Sequence, residues 1–274
     1  MSSPETVGPA VLGFDRLSAR YEGLCANEIF SWMRRRVHSE CVRRFPPAAR
    51  VLEIGCGVGI DTVFLAAEGF AVTATDPAPG MARRTRERLR SAVPQADVMV
   101  LEEGLQTLEA RLPPDAGSAT FDAIFSNFGA LNCVEDLGPL RRLAEHRLTR
   151  GGHLLLCLMS RVCPWEIGYF LAKGRPRTAL RRIGRDPIMV DIEGIKVPTF
   201  YHSPRRIMNA LGTGFSLRRL LGLAVVVPPP YLAGPWSGAP PRLRRSASAL
   251  DGLLSGRAPF NRLGDHFLID IVMR

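Results

Sequence analysis

The stretch VLEIGCGVGIDTVFLAAEGFAVTATD, residues 51–76, decides the fold. An apolar run meets three glycines, and an apolar, helix-like segment then leads to a second apolar run that ends at Asp76. The order strand, glycine turn, helix, strand is how α/β proteins hold nucleotide-like cofactors. The stretch therefore predicts a cofactor site at the turn that follows the first strand.

The same alternation of strands and helices continues along the chain. Apolar, strand-like runs recur and are separated by segments with helical spacing, which favours an α/β fold with a mostly parallel sheet and helices on both faces. Two further runs near the end predict the last two strands. The predicted strands are 50–55, 71–76, 96–102, 121–127, 153–160, 215–227 and 266–274.

Segments outside this alternation predict a lid around the core. The first dozen residues are expected to form a loose tail, and residues 26–45 a helix with one apolar face. Residues 161–200 are rich in aromatic and Arg residues, with helical stretches and no strand alternation. Ser203 and Pro204 predict the start of a short helix. The expected domains are 1–45 (tail and lid helices), 46–160 (cofactor-binding core), 161–200 (substrate lid) and 201–274 (rest of the core, with a Pro/Gly-rich insert at 228–264).

Composition limits the cellular setting. No apolar run reaches the roughly 18–20 residues that span a bilayer, and the first residues lack the basic start and apolar core of a secretory signal. The six cysteines form no C-x-x-C pair and no zinc-like cluster. Buried free thiols are expected, which predicts a reducing compartment, most simply the cytoplasm, and no membrane partner.

The net charge of +10 raises the question of a nucleic-acid partner. Only Lys173 and Lys196 among the 36 basic residues are lysine, and the arginine clusters are scattered without interleaved aromatic residues. We interpret the excess as a compositional bias at surface positions, which does not favour nucleic-acid binding.

The glycine turn differs from that of the dinucleotide-binding enzymes. Those enzymes use G-x-G-x-x-G, whereas Gly55, Gly57 and Gly59 form G-x-G-x-G. Glu53 would oppose a pyrophosphate but suit a cationic ligand such as an ammonium group. Asp76, at the end of the second strand, is placed to accept two hydrogen bonds from a ribose diol. An NAD-dependent oxidoreductase is the competing interpretation.

The motif E-x-G-x-G-x-G, the acid after strand two and the strands that follow resemble the class I S-adenosylmethionine-dependent methyltransferases. The resemblance covers residues 13–160, and residues 200–274 by topology alone. It implies a Rossmann-like sheet of seven strands whose last strand, HFLIDIVMR, is antiparallel. It also implies the cofactor S-adenosyl-L-methionine (SAM).

By the same resemblance, the motif positions would contact the cofactor. Glu53 and the turn would hold the methionine part, Asp76 the ribose, and the residues after Asp76 the adenine. Residues after strand three would replace a missing adenine-binding Asp, and those after strand four would border the methyl group. The full set is Tyr21, Glu53, Gly55, Cys56, Gly57, Gly59, Asp76, Pro77, Met81, Glu103, Gly104, Leu105, Asn127 and Phe128.

The segment FDRLSARYEG, residues 14–23, resembles an N-terminal element of small-molecule methyltransferases. Tyr21 would then fold over the cofactor as part of the lid. The alternative is a helix that packs Phe14, Leu17 and Tyr21 on the sheet.

Methyl transfer from a sulfonium needs alignment of the nucleophile and exclusion of water, and sometimes a base, but no metal. His202 and Glu166 are the candidate bases, and Tyr21 is grouped with them as a candidate catalytic residue. The alternatives are a histidine bonded to backbone and a solvated or salt-bridged glutamate. Ser126 and Cys56 lie near the site without an identifiable base.

Aromatic residues after strand five and before the last strand predict a pocket for a hydrophobic or aromatic acceptor, such as an indole- or phenol-like natural product. They are Trp165, Tyr169, Tyr201, Tyr231 and Trp236. The FSNFGALN segment (125–132) lacks the N/D-P-P-Y/F motif of methyltransferases that act on nucleic-acid bases. Two alternatives remain: an RNA-directed methyltransferase that uses the Arg-rich surface, and a SAM-binding interaction protein without catalysis. A homodimer through the N-terminal helix is possible in either case.

Overall fold

A computed structural model describes residues 8–112, 121–184 and 186–274. Of the predicted loose tail, residues 1–7 lie outside the described residues. The rest of that prediction is wrong, because a helix begins at Pro9. Proline is well suited to the first turn of a helix, since its missing N–H has no partner there in any case.

Seven strands form one sheet, as the sequence predicted. Its order is β3-β2-β1-β4-β5-β9-β8, and only β9 runs antiparallel to its neighbours. A separate two-stranded sheet pairs β6 with β7. The strands are β1 Arg50–Ile54, β2 Ala71–Thr75, β3 Val98–Leu101, β4 Phe121–Ser126, β5 Leu148–Met159, β6 Ile188–Ile192, β7 Ile195–Thr199, β8 Phe215–Leu223 and β9 His266–Met273.

Helices cover both faces of the sheet. They are α1 Pro9–Leu17, α2 Tyr21–Cys25, α3 Glu28–Arg44, α4 Ile60–Ala67, α5 Pro79–Ala92, α6 Leu108–Arg111, α7 Gly138–Arg147, α8 Pro164–Ala172, α9 Pro176–Ala179, α10 Pro204–Leu211, α11 Ala233–Ser237 and α12 Pro241–Leu254. Short 3₁₀ turns lie at Ala130–Cys133, Arg181–Ile183, Pro230–Leu232 and Phe260–Arg262.

Two apolar cores result from the alternation of side chains along the strands. Leu52 and Ile124 point to one face, where α7 and α10 cover them, and Val51 and Phe125 point to the other, against α3 and α4. Because β1, β2, β4 and β5 are parallel, their carboxyl ends lie at one edge of the sheet. The turns after these strands therefore come together at that edge, which is where such folds bind ligands.

The segment 161–200 contains strands that the sequence analysis did not predict. β6 and β7 form a hairpin whose two-residue turn is Glu193–Gly194, with φ of 51° and 79°. Positive φ at both turn residues matches the twist of a two-residue hairpin, which explains the glycine. The expectation of helical stretches without strand alternation is wrong at residues 188–199, where Ile195 and Val197 alternate with Lys196 and Pro198 along β7.

The C-terminal insert is anchored to the core by one buried carboxylate. Asp251 on α12 accepts hydrogen bonds from the backbone N–H groups of Val225, Val226 and Val227, and it pairs with Arg36 on α3. The predicted cap of α10 is also present, since the Ser203 side chain accepts from Arg206 N.

Candidate active site

The glycine turn after β1 requires glycine at its positions. Gly55, Gly57 and Gly59 have φ of 75°, 57° and 79°, a region that other residues rarely adopt. A Cβ at position 55 would overlap Cβ of Ala130, and one at position 59 would lie 2.9 Å from Thr85. The turn thus lies tightly between the neighbouring loop and α5, and its backbone is free to approach a ligand.

Asp76 holds two backbone N–H groups in place at the carboxyl edge of the sheet. Its Oδ2 accepts from Gly57 N at 2.9 Å, and its Oδ1 accepts from Ala78 N at 2.9 Å. Burial raises the pKa of Asp76 to about 6, although both N–H groups oppose this rise. Each carboxylate oxygen keeps a lone pair for a further donor.

A cavity opens between the glycine turn and Asp76. It brings together eight of the residues that the sequence analysis assigned to the cofactor: Tyr21, Gly55, Gly57, Asp76, Pro77, Met81, Asn127 and Phe128. Ala10, Val11 and Phe14 of α1, Ala78, Gly129, Ala130 and Cys133 complete its lining. Small and apolar side chains dominate, with one carboxylate at the rim, which fits a nucleoside with a ribose diol.

The N-terminal helices close over this cavity. Asp15 on α1 accepts a hydrogen bond from Gly80 N at 2.6 Å, where α5 begins. Tyr21 lies beside Gly57, and burial raises its pKa. Its ring also meets Phe14 edge to face, with centroids 6.3 Å apart. Tyr21 therefore lines the cavity and packs against Phe14, and its contact with a cofactor stays a prediction.

Glu53 lies beneath the turn and does not line the cavity. Its side chain is buried and accepts a hydrogen bond from the Thr62 hydroxyl at 2.6 Å. Burial, followed by the nearby Asp61 carboxylate, raises the pKa of Glu53 to about 8. Glu53 therefore supports the turn from below and does not contact the cavity.

A polar cleft that no sequence pattern indicated lies beside the cavity. Arg34 on α3 pairs with Asp61 at 2.8 Å, and Asn127 donates to the same carboxylate at 3.0 Å. The Arg34 guanidinium also lies 4.9 Å from the Phe128 ring centroid. Burial would raise the pKa of Asp61, but Arg34 and His38 lower it overall. Arg34 follows Phe30 by one helical turn, which is the signal that could have placed it on the inner face.

The predicted adenine contacts after β3 do not line the cavity. Glu103 accepts from Thr107 and pairs with Arg111, whereas Leu105 is buried in the apolar core. Gly104 lies near Pro77, since a Cβ added to it would be 3.5 Å from that ring.

His202 is not at the cavity either. It is 0% exposed, its Nε2 bonds to the Val134 carbonyl at 2.7 Å, and burial lowers its pKa. This is the backbone-bonded alternative, so the geometry does not favour His202 as the base. Glu166 is buried and pairs with Arg181 and Arg182, which leaves it no free role as a base.

The five predicted acceptor-binding aromatic residues do not form one pocket. Trp165 donates from Nε1 to the Val226 carbonyl, and Trp236 packs against the core. The ring of Tyr169 lies under Lys173, and that of Tyr201 lies under Arg182. The Tyr231 hydroxyl donates a hydrogen bond to Glu166. Aromatic spacing along the sequence predicted the helix of residues 164–172 but not the direction of these side chains.

The two candidate nucleophiles near the turn, Ser126 and Cys56, already contact neighbouring protein groups. Ser126 donates to the Ile54 carbonyl, and Cys56 lies 3.5 Å from the Thr85 hydroxyl. Burial raises the pKa of Cys56 well above its usual value. All six cysteines are free thiols. In the described parts of the chain, no cluster of metal-ligating residues occurs, and no helix is long and apolar enough to cross a bilayer.

Comparison with known proteins agrees with this geometry. Residues 52–154 match the sequence model of a family described as "Methyltransferase domain". The chain is 40% identical over 116 residues to glycine N-methyltransferase of Oryctolagus cuniculus, covering 39% of either chain. It is 33% identical over 151 residues to demethylmenaquinone methyltransferase of Mycolicibacterium gilvum (strain PYR-GCK), covering 54% of this chain and 58% of that one. The chain thus matches only about half, or less, of the length of these relatives.

Solved structures share this fold. An S-adenosylmethionine-dependent methyltransferase from Mesorhizobium loti aligns with a TM-score of 0.56 and 19% identity, over 85% of this chain and 96% of that one. The sheet order, the glycine turn and the match over residues 52–154 thus agree with the motif of residues 53–59. Residues 52–154 are thus similar to a methyltransferase domain, and the chain has the fold of the class I S-adenosylmethionine-dependent methyltransferases.

Proposed function

We propose that the protein transfers the methyl group of SAM to a small-molecule acceptor. The observation that carries the proposal is the cavity at the carboxyl edge of the sheet, where the glycine turn, the Asp76 carboxylate and the apolar side chains of Pro77, Met81 and Phe14 meet. The proteins named above support the proposal, because each is described as a methyltransferase.

Each part of the cofactor has a matching group in the site. Asp76 would accept hydrogen bonds from both ribose hydroxyls, and Pro77 and Met81 would hold the adenine ring. The backbone of the Gly55–Gly57 turn would lie against the methionine part. Arg34 would meet the methionine carboxylate, since a guanidinium forms strong charge-assisted hydrogen bonds with a carboxylate.

The residues of the chain would contribute alignment and water exclusion. The sulfonium end would face Asn127 and Phe128, where β4 ends, so an acceptor beside Phe128 stands in line with the methyl group. The lid of α1 and α2 covers the cofactor and keeps bulk water away from the reacting atoms. Held in this geometry, the acceptor reacts with an effective concentration far above that in solution.

The charges around the turn favour SAM over a dinucleotide. Asp61 and Asp76 lie beside the turn, and each ionised carboxylate raises the energy of a nearby pyrophosphate, whereas Glu53, with a pKa of about 8, is largely protonated at neutral pH. The same carboxylates attract a sulfonium or an ammonium group. This arrangement supports SAM as the cofactor and argues against NAD.

For the acceptor we propose a small hydrophobic or aromatic molecule. The relatives are named for glycine and for demethylmenaquinone, and both are small compared with a nucleic acid or a protein. Phe30 meets Phe128 edge to face, with ring centroids 5.3 Å apart, so the side of the cavity where the acceptor would bind is aromatic. The six free thiols fit a reducing, cytoplasmic setting, which we also propose.

The experiment is a calorimetric titration of SAM into the wild type and into Asp76→Ala. Loss of hydrogen bonds to a charged acceptor should weaken binding by about 1.5–3 kcal/mol, or roughly 10- to 100-fold. Asp97→Ala is the control, because Asp97 is exposed on the loop before β3 and should leave the affinity unchanged. Equal affinities for all three proteins would contradict the placement of the ribose.

A further inference from the structure

A second pocket, which we call the arginine pocket, lies outside the cofactor cavity. It has a volume of about 260 Å³ and lies between the end of β5, the loop after β7 and the start of α10. The side chains that define it are Arg161, Asp186, Phe200, Tyr201, Ser203 and Arg206. The arginine pocket shares no lining residue with the cofactor cavity or with the polar cleft at Arg34.

One turn connects the arginine pocket to the cofactor cavity. Phe200 N donates to the Asn132 carbonyl at 2.7 Å, and Asn132 Nδ2 donates to the Phe200 carbonyl at 2.6 Å. Asn132 belongs to the 3₁₀ turn Ala130–Cys133, and both end residues of this turn line the cofactor cavity. The two pockets are therefore neighbours, but each has its own lining.

Two arginines of the arginine pocket have backbone partners but no carboxylate partner. Arg161 Nη2 donates to the Ile183 carbonyl and, at 3.2 Å, to the Gly184 carbonyl, which holds this guanidinium in place. Arg206 Nη2 donates to the Glu135 carbonyl at 3.3 Å. Within the described parts of the chain, neither guanidinium forms an ion pair. Both arginines therefore keep N–H groups and a positive charge for a ligand.

The other polar groups of the arginine pocket are mainly hydrogen-bond donors. Ser203 Oγ accepts from Arg206 N, and its own hydrogen stays available. The Tyr201 hydroxyl has no hydrogen-bond partner among the described residues. Asp186 is the one acidic side chain among the described lining residues, so these side chains carry two positive charges and one negative charge. Donors and a net positive charge suit an oxyanion and oppose a cationic amine.

Two aromatic rings form the apolar part of the arginine pocket. Phe200 and Tyr201 are both partly exposed there. The Phe200 ring is nearly parallel to the His202 ring, with centroids 6.4 Å apart, and Cζ of Arg182 lies 5.4 Å from the Tyr201 ring centroid. These contacts hold both rings in place. Because ligand pockets usually measure roughly 300–1,000 Å³, this smaller pocket suits a molecule with one ring.

We propose that the arginine pocket binds a small aromatic acid, a single ring that carries a carboxylate or a phosphate ester. The acid group accepts hydrogen bonds from Arg161 and Arg206, since a guanidinium binds both kinds of oxyanion strongly. The ring lies against Phe200 and Tyr201. This ligand binds in addition to the cofactor, because the arginine pocket and the cofactor cavity share no residue.

The test is a calorimetric titration of four probes into the whole chain at pH 8. Benzoate and phenyl phosphate carry both the ring and the acid group, whereas inorganic phosphate lacks the ring and benzyl alcohol lacks the charge. Each probe is titrated with and without saturating S-adenosylhomocysteine (SAH), the demethylated form of the cofactor. Binding that persists in the presence of SAH separates the arginine pocket from the cofactor cavity and from the cleft at Arg34.

We expect benzoate or phenyl phosphate to bind with roughly millimolar affinity or better, more tightly than inorganic phosphate or benzyl alcohol, and equally well when SAH is present. Arg206→Gln should weaken binding of these anions by roughly 10- to 100-fold, because it removes a charge-assisted hydrogen bond. Arg205→Gln is the matched control. Arg205 precedes Arg206 on α10, is exposed and does not line the arginine pocket, so the same change of charge should leave the affinity unchanged.

Asp186→Asn gives a result that a folding defect cannot imitate. Removal of this acidic group should tighten binding of the anions by roughly two- to five-fold, whereas the control Asp97→Asn, at an exposed position outside the pocket, should not.

Four results would overturn the proposal. They are no binding of either aromatic anion by the folded wild type, competition between the anions and SAH, equal affinities of Arg206→Gln and Arg205→Gln, and unchanged affinity in Asp186→Asn. Inorganic phosphate that binds as tightly as phenyl phosphate would show that no ring is recognised, which contradicts an aromatic ligand. Each of these results leaves SAM binding in the cofactor cavity standing.

Discussion

Asp76 performs two tasks that depend on its charge. Its oxygens hold the Gly57 and Ala78 N–H groups and also face the cavity. With a pKa of about 6, it is ionised at pH 8 and largely protonated at pH 5. A protonated carboxyl accepts hydrogen bonds less well.

Affinity for SAH should therefore fall as the pH drops through about 6, by up to roughly ten-fold between pH 8 and pH 5. Calorimetry across this range checks the effect, with Asp76→Asn as the control. The Asn variant should bind weakly at every pH and show no step near pH 6. A step that persists in Asp76→Asn would assign the titration to another group.

The buried carboxyl of Glu53 beneath the turn makes the stability of the protein depend on pH. Its pKa is about 8 in the folded protein against an ordinary value of 4.5, so the folded state binds the proton more tightly. The resulting stability is fully present below about pH 4.5 and is lost as the pH rises through about 8.

Glu53→Gln should therefore stabilise the unliganded protein more at pH 9 than at pH 6, because an amide has no charge to bury. The gain in Tm should be about 2–4 °C for each kcal/mol of added stability, because a given free energy shifts the Tm of a larger chain less. Thermal unfolding at both pH values measures the difference. The same shift in Tm at pH 6 and at pH 9 would contradict the raised pKa of Glu53.

The role of Gly55 can be distinguished from that of Gly151, a glycine that only relieves backbone strain, by substituting alanine at each position. Gly55 and Gly151 have φ of 75° and 77°, but an added Cβ overlaps Ala130 at position 55 and meets nothing within 4 Å at position 151. Gly151→Ala should cost about 1–2 kcal/mol and keep SAH binding. Gly55→Ala should cost more and abolish SAH binding in calorimetry. Equal effects on binding would show that the turn does not need this close approach.

Local sequence spacing predicted some site residues and missed others, for a physical reason. Gly55, Gly57 and Asp76 belong to one strand–turn–helix–strand unit, so their positions follow from neighbours in the chain. Arg34 reaches the site from α3, a distant element. Its direction depends on how α3 packs on the sheet, which one sequence does not encode locally.

Among the elements, helix α1 packs between the cavity and the β6–β7 hairpin. Its residues Ala10, Val11 and Phe14 line the cavity. On its other side, a Cβ at Gly13 would lie 3.1 Å from Val197 and 3.3 Å from Ile192. The hairpin therefore holds the lid through a contact that has no room for a side chain.

Gly13→Val should push α1 away from the hairpin and speed SAH release. Overpacking of this kind costs about 1–3 kcal/mol, which corresponds to roughly 5- to 100-fold weaker binding. Gly23→Val is the control, because an added Cβ there meets nothing within 4 Å. Dissociation rates measured by stopped-flow fluorescence compare the two. Unchanged release from Gly13→Val would show that α1 does not gate the cofactor.

The elements that sequence patterns missed are the ones at the surface. The strands of the main sheet carry long apolar runs because both faces are buried, so they were predictable. In β6, Met189 and Val190 are exposed, and no apolar alternation marks the strand. The local signals of this hairpin were the turn Glu193–Gly194 and, along β7, the alternation of Ile195 and Val197 with Lys196 and Pro198.

At the scale of the whole molecule, the excess positive charge is partly used within the fold. Arg36, Arg44 and Arg182 pair with buried carboxylates on distant elements, where they join the insert, α3 and β9 to the core. Removing one partner of such a pair leaves an uncompensated buried charge and costs about 3–5 kcal/mol. These arginines therefore act as structural links, which composition alone could not show.

We propose that the cavity over the glycine turn binds SAM, and calorimetric titration of SAM, SAH and NAD into the wild-type protein at pH 8 tests this. We expect micromolar binding of SAM and SAH, with one site per chain, and no binding of NAD. Binding of NAD alone, or of none of the three by a protein shown to be folded, would contradict it.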